Sequence, residues 1–286
     1  MTGPASASAD PSGGRSSRLL GSPSAGRGVV ASLASTIVVF GVLGWLIVHS
    51  PNWEDFRAAF FDTDLFLSSL PTILHAFWIN VQLFLVCEVL ILGLGLVVAV
   101  MRSLPGPAFF PLRLIAILYA DFFRGVPGIV VIYVLGFGLP SLGIEGLPID
   151  EFFWAVIALT LIYSAYVSEV YRAGIDSVHP SQEAAARSLG LSRAQAMRHV
   201  VLPQAIRRVI PPLLNDFIGL QKDTALVAFI GVVEAFSRSQ IISAGEFNLT
   251  PYVATALIFL VLTIPMARFV DWLIARDRRR TLASAR

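Results

Sequence analysis

The sequence holds one cysteine, Cys87, and one lysine, Lys222. With no partner in the chain, Cys87 forms no intrachain disulfide and says nothing about redox compartment. A phosphate-binding loop needs GxxxxGK[ST], with its lysine reaching the phosphates; Lys222 stands between Gln221 and Asp223 inside an apolar stretch and cannot serve that motif. The four histidines, His49, His75, His179 and His199, fall at no metal-ligand spacing, and neither HExxH nor a nucleophile motif occurs. An enzyme reading therefore has little to stand on. Charge is scarce as well: 14% of residues are charged, against about 25% in soluble domains. Together with 56% hydrophobic residues and a mean hydropathy of +0.74, this excludes a soluble globule.

Long apolar runs are what the chain has in plenty. A bilayer core of about 30 Å takes about 20 mostly apolar residues per helix. Six stretches offer that length: Val29 to Val48, Leu70 to Val100, Leu114 to Leu139, Phe152 to Tyr171, Val209 to Val232 and Tyr252 to Ile274. The third carries an internal FRGVPG, and charges interrupt the fifth. The expected fold class is all-α, a polytopic transmembrane helical protein of about six spans.

Charge asymmetry orients these spans. Seventeen arginines, among them Arg15, Arg102, Arg172, Arg208 and Arg276, lie in the tails or in connections of one side; only Arg57 and Arg238 fall on the other, with Arg124 and Lys222 inside spans. By the positive-inside rule both termini are cytoplasmic, which implies a multi-pass protein of the cell (inner or plasma) membrane. The acidic residues Glu54, Asp55, Asp62, Asp64, Glu145, Asp150 and Glu151 agree, all falling in outer connections. Residues 1–28, rich in Gly, Ser, Pro and Ala, read as a disordered tail. Residues 29–48 are too long for a signal-peptide core and lack a small-residue cleavage site, so they read as a retained anchor; residues 276–286 form a basic tail.

The fourth connection, about residues 173–208, is too long to be structureless in a compact protein. Pro180 and Ser181 mark a helix start, Gln182 to Leu189 are good helix formers, and Gly190 can end the helix in the left-handed conformation. Ser192 with Gln195 matches a capping box, so a second helix is expected to run to about Val201, with Pro203 at its end or at a kink. Glu183 and Arg187 stand at i,i+4, the spacing of a weak ion pair. Ala184, Ala185 and Ala186 present almost no side chain and permit close approach by another protein surface. From periodicity alone, an amphipathic helix resting on lipid headgroups is an equal reading.

This segment resembles the cytoplasmic coupling loop of ATP-binding-cassette importer permeases, whose pattern is Glu-Ala-Ala, three residues, Gly, nine residues, an aliphatic, one residue, Leu-Pro. Gly190, Val200, Leu202 and Pro203 fit that spacing, as do Ala185 and Ala186; the glutamate position is Ala184, with Glu183 one residue early. DFFRGVPGIVVIY (Asp121 to Tyr133), SAYVSEVYRAGIDSV (Ser164 to Val178) and LPQAIRRVIPPLLNDFIGLQKDTALV (Leu202 to Val227) are similar to the polar amino-acid branch of that family. The resemblance covers residues 70–275 and leaves 29–48 as an extra span. It implies a type I importer permease fold with a cytoplasmic coupling helix, which makes and breaks no covalent bonds and transports by alternating access. Implied partners are separate ATPase subunits that bind ATP and Mg, a second permease subunit (the same or a related chain), an extracytoplasmic amino-acid-binding protein and the lipid bilayer, with no nucleic acid and no cofactor in this chain. The coupling interface implied is Glu183, Ala184, Ala185, Ala186, Arg187, Gly190, Leu191 and Pro203.

Intramembrane charges are functional candidates by default. On straight helices rising 1.5 Å per residue, Glu88 lies about 18 Å from Val100, Arg124 about 16 Å from Arg113 and Lys222 about 21 Å from Arg208, near mid-bilayer. Glu88 and Arg124 offer one counter-charge each to a zwitterionic amino acid. Equally, the charges satisfy one another: Asp121 with Arg124, Glu169 with Arg172, Lys222 with Asp216 or Asp223. Asn215, Asp216, Lys222 and Asp223 are similar to the NxF and KDT stretches of the branch and stand as gate or pathway candidates. Pro211 and Pro212 read as a helix start. Gly125, Pro127 and Gly128 read either as an opening toward a pathway or as a packing kink, and Gly93 and Gly95 as close-packing positions. The competing function is a secondary carrier or channel for a small polar solute; no convincing inverted repeat supports it.

Overall fold

Between Asp64 and Glu88 no Asp, Glu, Lys or Arg interrupts the chain, and the computed structural model, which describes residues 23–284, folds this stretch into a 41-residue helix, α3 (Thr63–Ser103). Among the described residues every regular element is helical. The chain divides into two compact units between Ala58 and Ala59. The first contains α1 (Pro23–Val48) and most of α2 (Trp53–Phe60). Of the expected tail, residues 1–22 lie outside the described residues, and Pro23 to Gly28 belong to α1.

The second unit is built on the pairing of α3 with α6 (Glu151–Asp176). Lipid tails are as apolar as leucine, so helices associate there by close packing, which small residues permit. Ala155, Ala158, Ala165, Ser164 and Ser168 of α6 are fully buried. A Cβ on Gly95 would lie 2.7 Å from Val167 Cγ1 and 3.3 Å from the Ser164 carbonyl, whereas Gly93 faces open space. Of the two expected packing glycines, Gly95 alone makes that approach. Leu83, Cys87, Ile91, Leu159 and Ile162 fill the interface.

Three helices are long and apolar enough to cross a membrane, or up to five if each of two bent pairs counts as one span; Ser32–Val48 is a shorter apolar helix. The first bent pair is the third span, which breaks where its internal FRGVPG stands. α4 (Phe110–Gly125) stops at Val126, which is extended at φ −92°, ψ 133°, and α5 (Gly128–Tyr133) starts after Pro127, bending the path by 106°. The proline ring excludes its predecessor from the helical region, so the VP of FRGVPG dictates the break. A π turn (Val134–Gly138) follows α5.

Two short helices, α7 (Pro180–Ser188) and α8 (Arg193–Ala196), form an elbow after α6. α8 does not end near Pro203: through a π turn at Met197–Val201 it runs on into α9 (Leu202–Asp223), whose first turn holds Pro203. Pro211 and Pro212 lie inside α9 rather than at its start, because the helix begins two turns earlier than the apolar pattern alone indicates. A 3-10 segment (Thr224–Ile230) and α10 (Ala235–Glu246) complete the second bent pair, at 51°. Arg238, expected in an outer connection, lies on α10. The last helix is α11 (Thr250–Ser284), anchored to the start of α3 where the Asp62 amide donates to Thr250 Oγ1 at 3.0 Å.

α6 meets α9 at Gly174, where a Cβ would fall 2.0 Å from Val209 Cγ2. Gly174→Ala is expected to force the two helices apart at a cost of about 1–3 kcal/mol, lowering the thermal midpoint in detergent. Adding Val209→Ala should restore part of the loss, and an unchanged midpoint for Gly174→Ala alone would contradict this packing.

Candidate functional site

The elbow is fixed by local chemistry. His179 Nδ1 accepts from the Ser181 amide at the start of α7, and Gly190, at φ +89°, turns the chain so that the Leu191 amide reaches the Ala186 carbonyl at 3.3 Å. The expected capping box is formed: Ser192 Oγ accepts from the Gln195 amide at 3.3 Å, and Gln195 Oε1 from the Ser192 amide at 2.8 Å. Glu183 pairs with Arg193 at 3.5 Å across the turn, not with Arg187; the turn brings α8 back over α7, and tertiary placement overrides the i,i+4 pattern. Gln204 donates to Gln182 Oε1 at 3.3 Å, and Arg208 donates to the Ser177 carbonyl and, at 3.1 Å, to Ser177 Oγ. Beneath, Val178, Val201 and Ala205 form a small buried cluster. Ala186 faces inward, Glu183 and Leu191 are half-buried, and Ala184, Ala185, Arg187, Gly190 and Pro203 are exposed. Leu189 is 82% exposed at the tip.

Above the elbow, one carboxylate gathers three guanidinium groups. Glu169 Oε1 accepts from Arg102 at 2.6 Å and Arg124 at 3.0 Å, while Oε2 accepts from Arg172 at 2.9 Å; Arg172 also reaches Asp176 at 3.1 Å. The i,i+3 pair of Glu169 with Arg172 is present, but Arg124 turns to Glu169 rather than to Asp121. Asp121 and Arg124 both lie on α4 ahead of the bend, so helix geometry permits that pair; the packing of α4 against α6 brings Glu169 to Arg124 instead. Because the same carboxylate holds Arg102, next to the last residue of α3, Arg124 stands near that end and not at the depth assigned to it. Arg124 is thereby placed in a charge cluster joining α3, α4 and α6, not opposite Glu88.

The other candidates collect along α3, α6 and α9. Glu88 Oε1 and Asp216 Oδ2 are buried with no hydrogen-bond partner. Asp223 accepts a hydrogen bond from the Tyr163 hydroxyl at 2.8 Å. Asn215 and Lys222 are exposed; among the described residues Lys222 has no ion pair with Asp216 or Asp223. An apolar cleft of about 660 Å³ opens between the three helices. Leu92, Tyr171, Leu213 and Phe217 line it, the last two flanking Asp216 in sequence.

Sequence reasoning missed a third polar group. Asn80 of α3, 2% exposed, donates through Nδ2 to Thr224 Oγ1 at 3.1 Å and to Glu234 Oε2 at 2.9 Å, and its Oδ1 accepts from the Ala235 amide at 3.1 Å. Glu234, 0% exposed, also accepts from the Phe236 and Ser237 amides and so caps α10. An amide in the middle of an apolar run was the available signal, since it must find a partner within the protein.

Residues 91–279 match the profile of a family described as the binding-protein-dependent transport system inner membrane component. The chain belongs to this family. The matched residues include the elbow, the Glu169 cluster and all of α9, and begin after Asn80 and Glu88. The chain is 39% identical over 181 residues to the probable glutamine ABC transporter permease protein GlnM of Bacillus subtilis (strain 168), covering 63% of this chain and 81% of that one. It is 35% identical over 199 residues to the arginine transport system permease protein ArtQ of the same organism, covering 69% and 89%. Among solved structures, a chain of an amino acid ABC transporter crystallised with histidines superposes with a TM-score of 0.69 at 32% identity, covering 75% of this chain and 98% of that one. A chain of the MetNI methionine ABC transporter gives 0.56 at 18% identity, over 71% and 95%, a likeness of fold. The permease component has the type I importer fold and is a membrane protein of the inner membrane.

Removing Glu169 leaves three arginines facing one another at positions that are in part buried. Glu169→Ala is expected to destabilise the permease component by about 1–3 kcal/mol, after discounting for partial exposure. Arg124→Ala added to it should cost less than the sum of the two single changes. A double-mutant cycle from thermal midpoints checks this, and strict additivity would show that Arg124 and Glu169 do not interact.

Proposed function

We propose that this permease component moves polar amino acids across the membrane by alternating access, driven by a separate ATP-binding-cassette ATPase docked on the elbow. The reading rests first on Leu189. A leucine 82% exposed, on a turn held by a capping box and a left-handed glycine, beside the exposed small face of Ala184 and Ala185, is a preformed knob. Burying such a side chain stabilises a contact by about 1.5–3 kcal/mol. Arg187, Gly190 and Pro203 are exposed on the same elbow; Glu183, Ala186 and Leu191 set its shape from inside.

The polar amino-acid substrate is supported by relatives named for glutamine, arginine and L-cystine transport. ATP and Mg are held by the ATPase, because the single lysine of this chain stands in no phosphate loop. A second permease subunit, the same or a related chain, completes the pathway, and an extracytoplasmic binding protein supplies the amino acid. The elbow and both termini face the cytoplasm, on the side that carries the arginine excess. Glu88, Asn215, Asp216, Lys222 and Asp223 are the pathway candidates grouped on α3 and α9; Arg124 acts through the Glu169 cluster.

The full complex in proteoliposomes is expected to take up labelled L-glutamine, L-arginine or L-cystine only with ATP. Ala185→Arg or Leu189→Asp should leave the permease component inserted while ATPase copurification and uptake are lost. Uptake driven by an ion gradient without the ATPase would overturn the function; full uptake and copurification in both variants would overturn the docking site.

A further inference from the structure

The side chain of Asn80 commits both of its amide hydrogens and its carbonyl oxygen to one place, the break between α9 and α10. One Nδ2 hydrogen goes to Thr224 and the other to Glu234, and Oδ1 takes the Ala235 amide. Thr224 directly follows Lys222 and Asp223 and donates in turn to the Gln221 carbonyl at 2.7 Å, closing the last turn before the 3-10 segment. Glu234 stands beyond the other end of that segment, as the N-cap of α10. The three side chains are 2%, 0% and 0% exposed, so water does not compete for these bonds, and a group that loses its partner there is left unsatisfied.

We propose that Asn80 is a positioning residue for transport: by clasping Thr224 and Glu234 it holds the broken span to α3 and so sets where Lys222 and Asp223 stand on the pathway. The inference rests on the proposed function, in which those two residues border the route of the amino acid. The clasp is well suited to the task. An apolar contact tolerates sliding, whereas an amide bonded to a hydroxyl, a carboxylate and a backbone N–H permits one register only. It also unites residues 144 to 155 positions apart in the chain, so no local helix propensity can replace it. Asp223 is further steadied by Tyr163 of α6, which places the end of α9 under the control of both core helices.

The test compares Thr224→Val, which removes the hydroxyl at nearly constant volume, with Thr224→Ser, which keeps it. It also compares Asn80→Asp, which sets two carboxyl groups against each other, with the exchange Asn80→Asp/Glu234→Gln, which restores one acid and one amide. Each permease is reconstituted with its ATPase and binding protein, and uptake is measured for whichever of L-glutamine, L-arginine and L-cystine the unmodified complex takes up fastest. Thr224→Val and Asn80→Asp are expected to insert, retain the ATPase and hydrolyse ATP, while kcat for uptake falls by roughly tenfold or more at nearly unchanged KM. Thr224→Ser and the exchange should recover most of the rate. Wild-type uptake by Thr224→Val or Asn80→Asp would overturn the proposal. So would loss confined to the amount of inserted protein with normal turnover per complex, or failure of both recovering variants. If the unmodified complex takes up none of the three amino acids with ATP, the proposed function itself fails.

Discussion

Hydrocarbon offers no hydrogen bonds, so wherever a spanning helix is interrupted the freed backbone groups must find partners within the protein. Both bent spans obey this constraint in different ways. At the first break the chain repairs itself locally: the Val126 amide returns to the Phe122 carbonyl at 3.0 Å, and Pro127 has no amide to satisfy. At the second break local repair goes only part of the way: the N-cap Glu234 takes the Phe236 and Ser237 amides, and a side chain from elsewhere, Asn80 of α3, takes the Ala235 amide. Polar residues inside the apolar bundle are thus placed by the interruptions. The straight stretches between them are free to pack through alanine, serine and glycine.

The charges sort by the same logic. Arg102, Arg124, Arg172, Glu169 and Asp176 neutralise one another in a single group, where losing one partner costs more than the whole group contributes. That group fastens α4 to the α3–α6 pair at the end nearest the elbow. Glu88 and Asp216 lie outside it, their buried oxygens without partners, and no guanidinium or ammonium pairs with them among the described residues. The carboxyls of α3 and α9 are thus left without counter-charge, while that of Glu169 is shared among three guanidinium groups.

What could be read from the sequence follows the range of the interactions involved. The elbow was legible nearly residue by residue, because a capping box, a helix-ending glycine and an N-terminal proline act within four residues of one another. Of the six apolar stretches, those in α3, α6 and α11 were legible from length; the third and fifth are bent pairs, and the first is a shorter apolar helix. The partner of Arg124 was not legible, since Glu169 stands on another helix 45 residues away and outcompetes the i,i+3 neighbour Asp121 on α4 itself. Glu183 likewise found Arg193 through the turn at Gly190 rather than Arg187 through the helix. Asn80 was passed over because its partners stand more than 140 residues away, and Glu234 because an acid near the end of an apolar run reads as the start of a connection.

α9 joins the elbow to the clasp, and its stiffness is uneven. Near its start lies the π turn at Met197–Val201, and within it stand Pro211 and Pro212 in succession. Two consecutive prolines withdraw the amides that would bond the carbonyls of Arg207 and Arg208, and each ring presses on the turn before it. Kinks in helices concentrate at such positions. Beyond them, Leu220, Gln221 and Thr224 are buried against the core, and the last turn is pinned through Thr224 to α3. A displacement entering at the elbow would, on the proposed reading, bend α9 between Arg207 and Pro212 and leave Lys222 and Asp223 in register with α3. On the proposed reading, the cleft beside Val209 and Leu213 changes width as the ATPases close, while the residues at its far end keep their positions relative to the core helices.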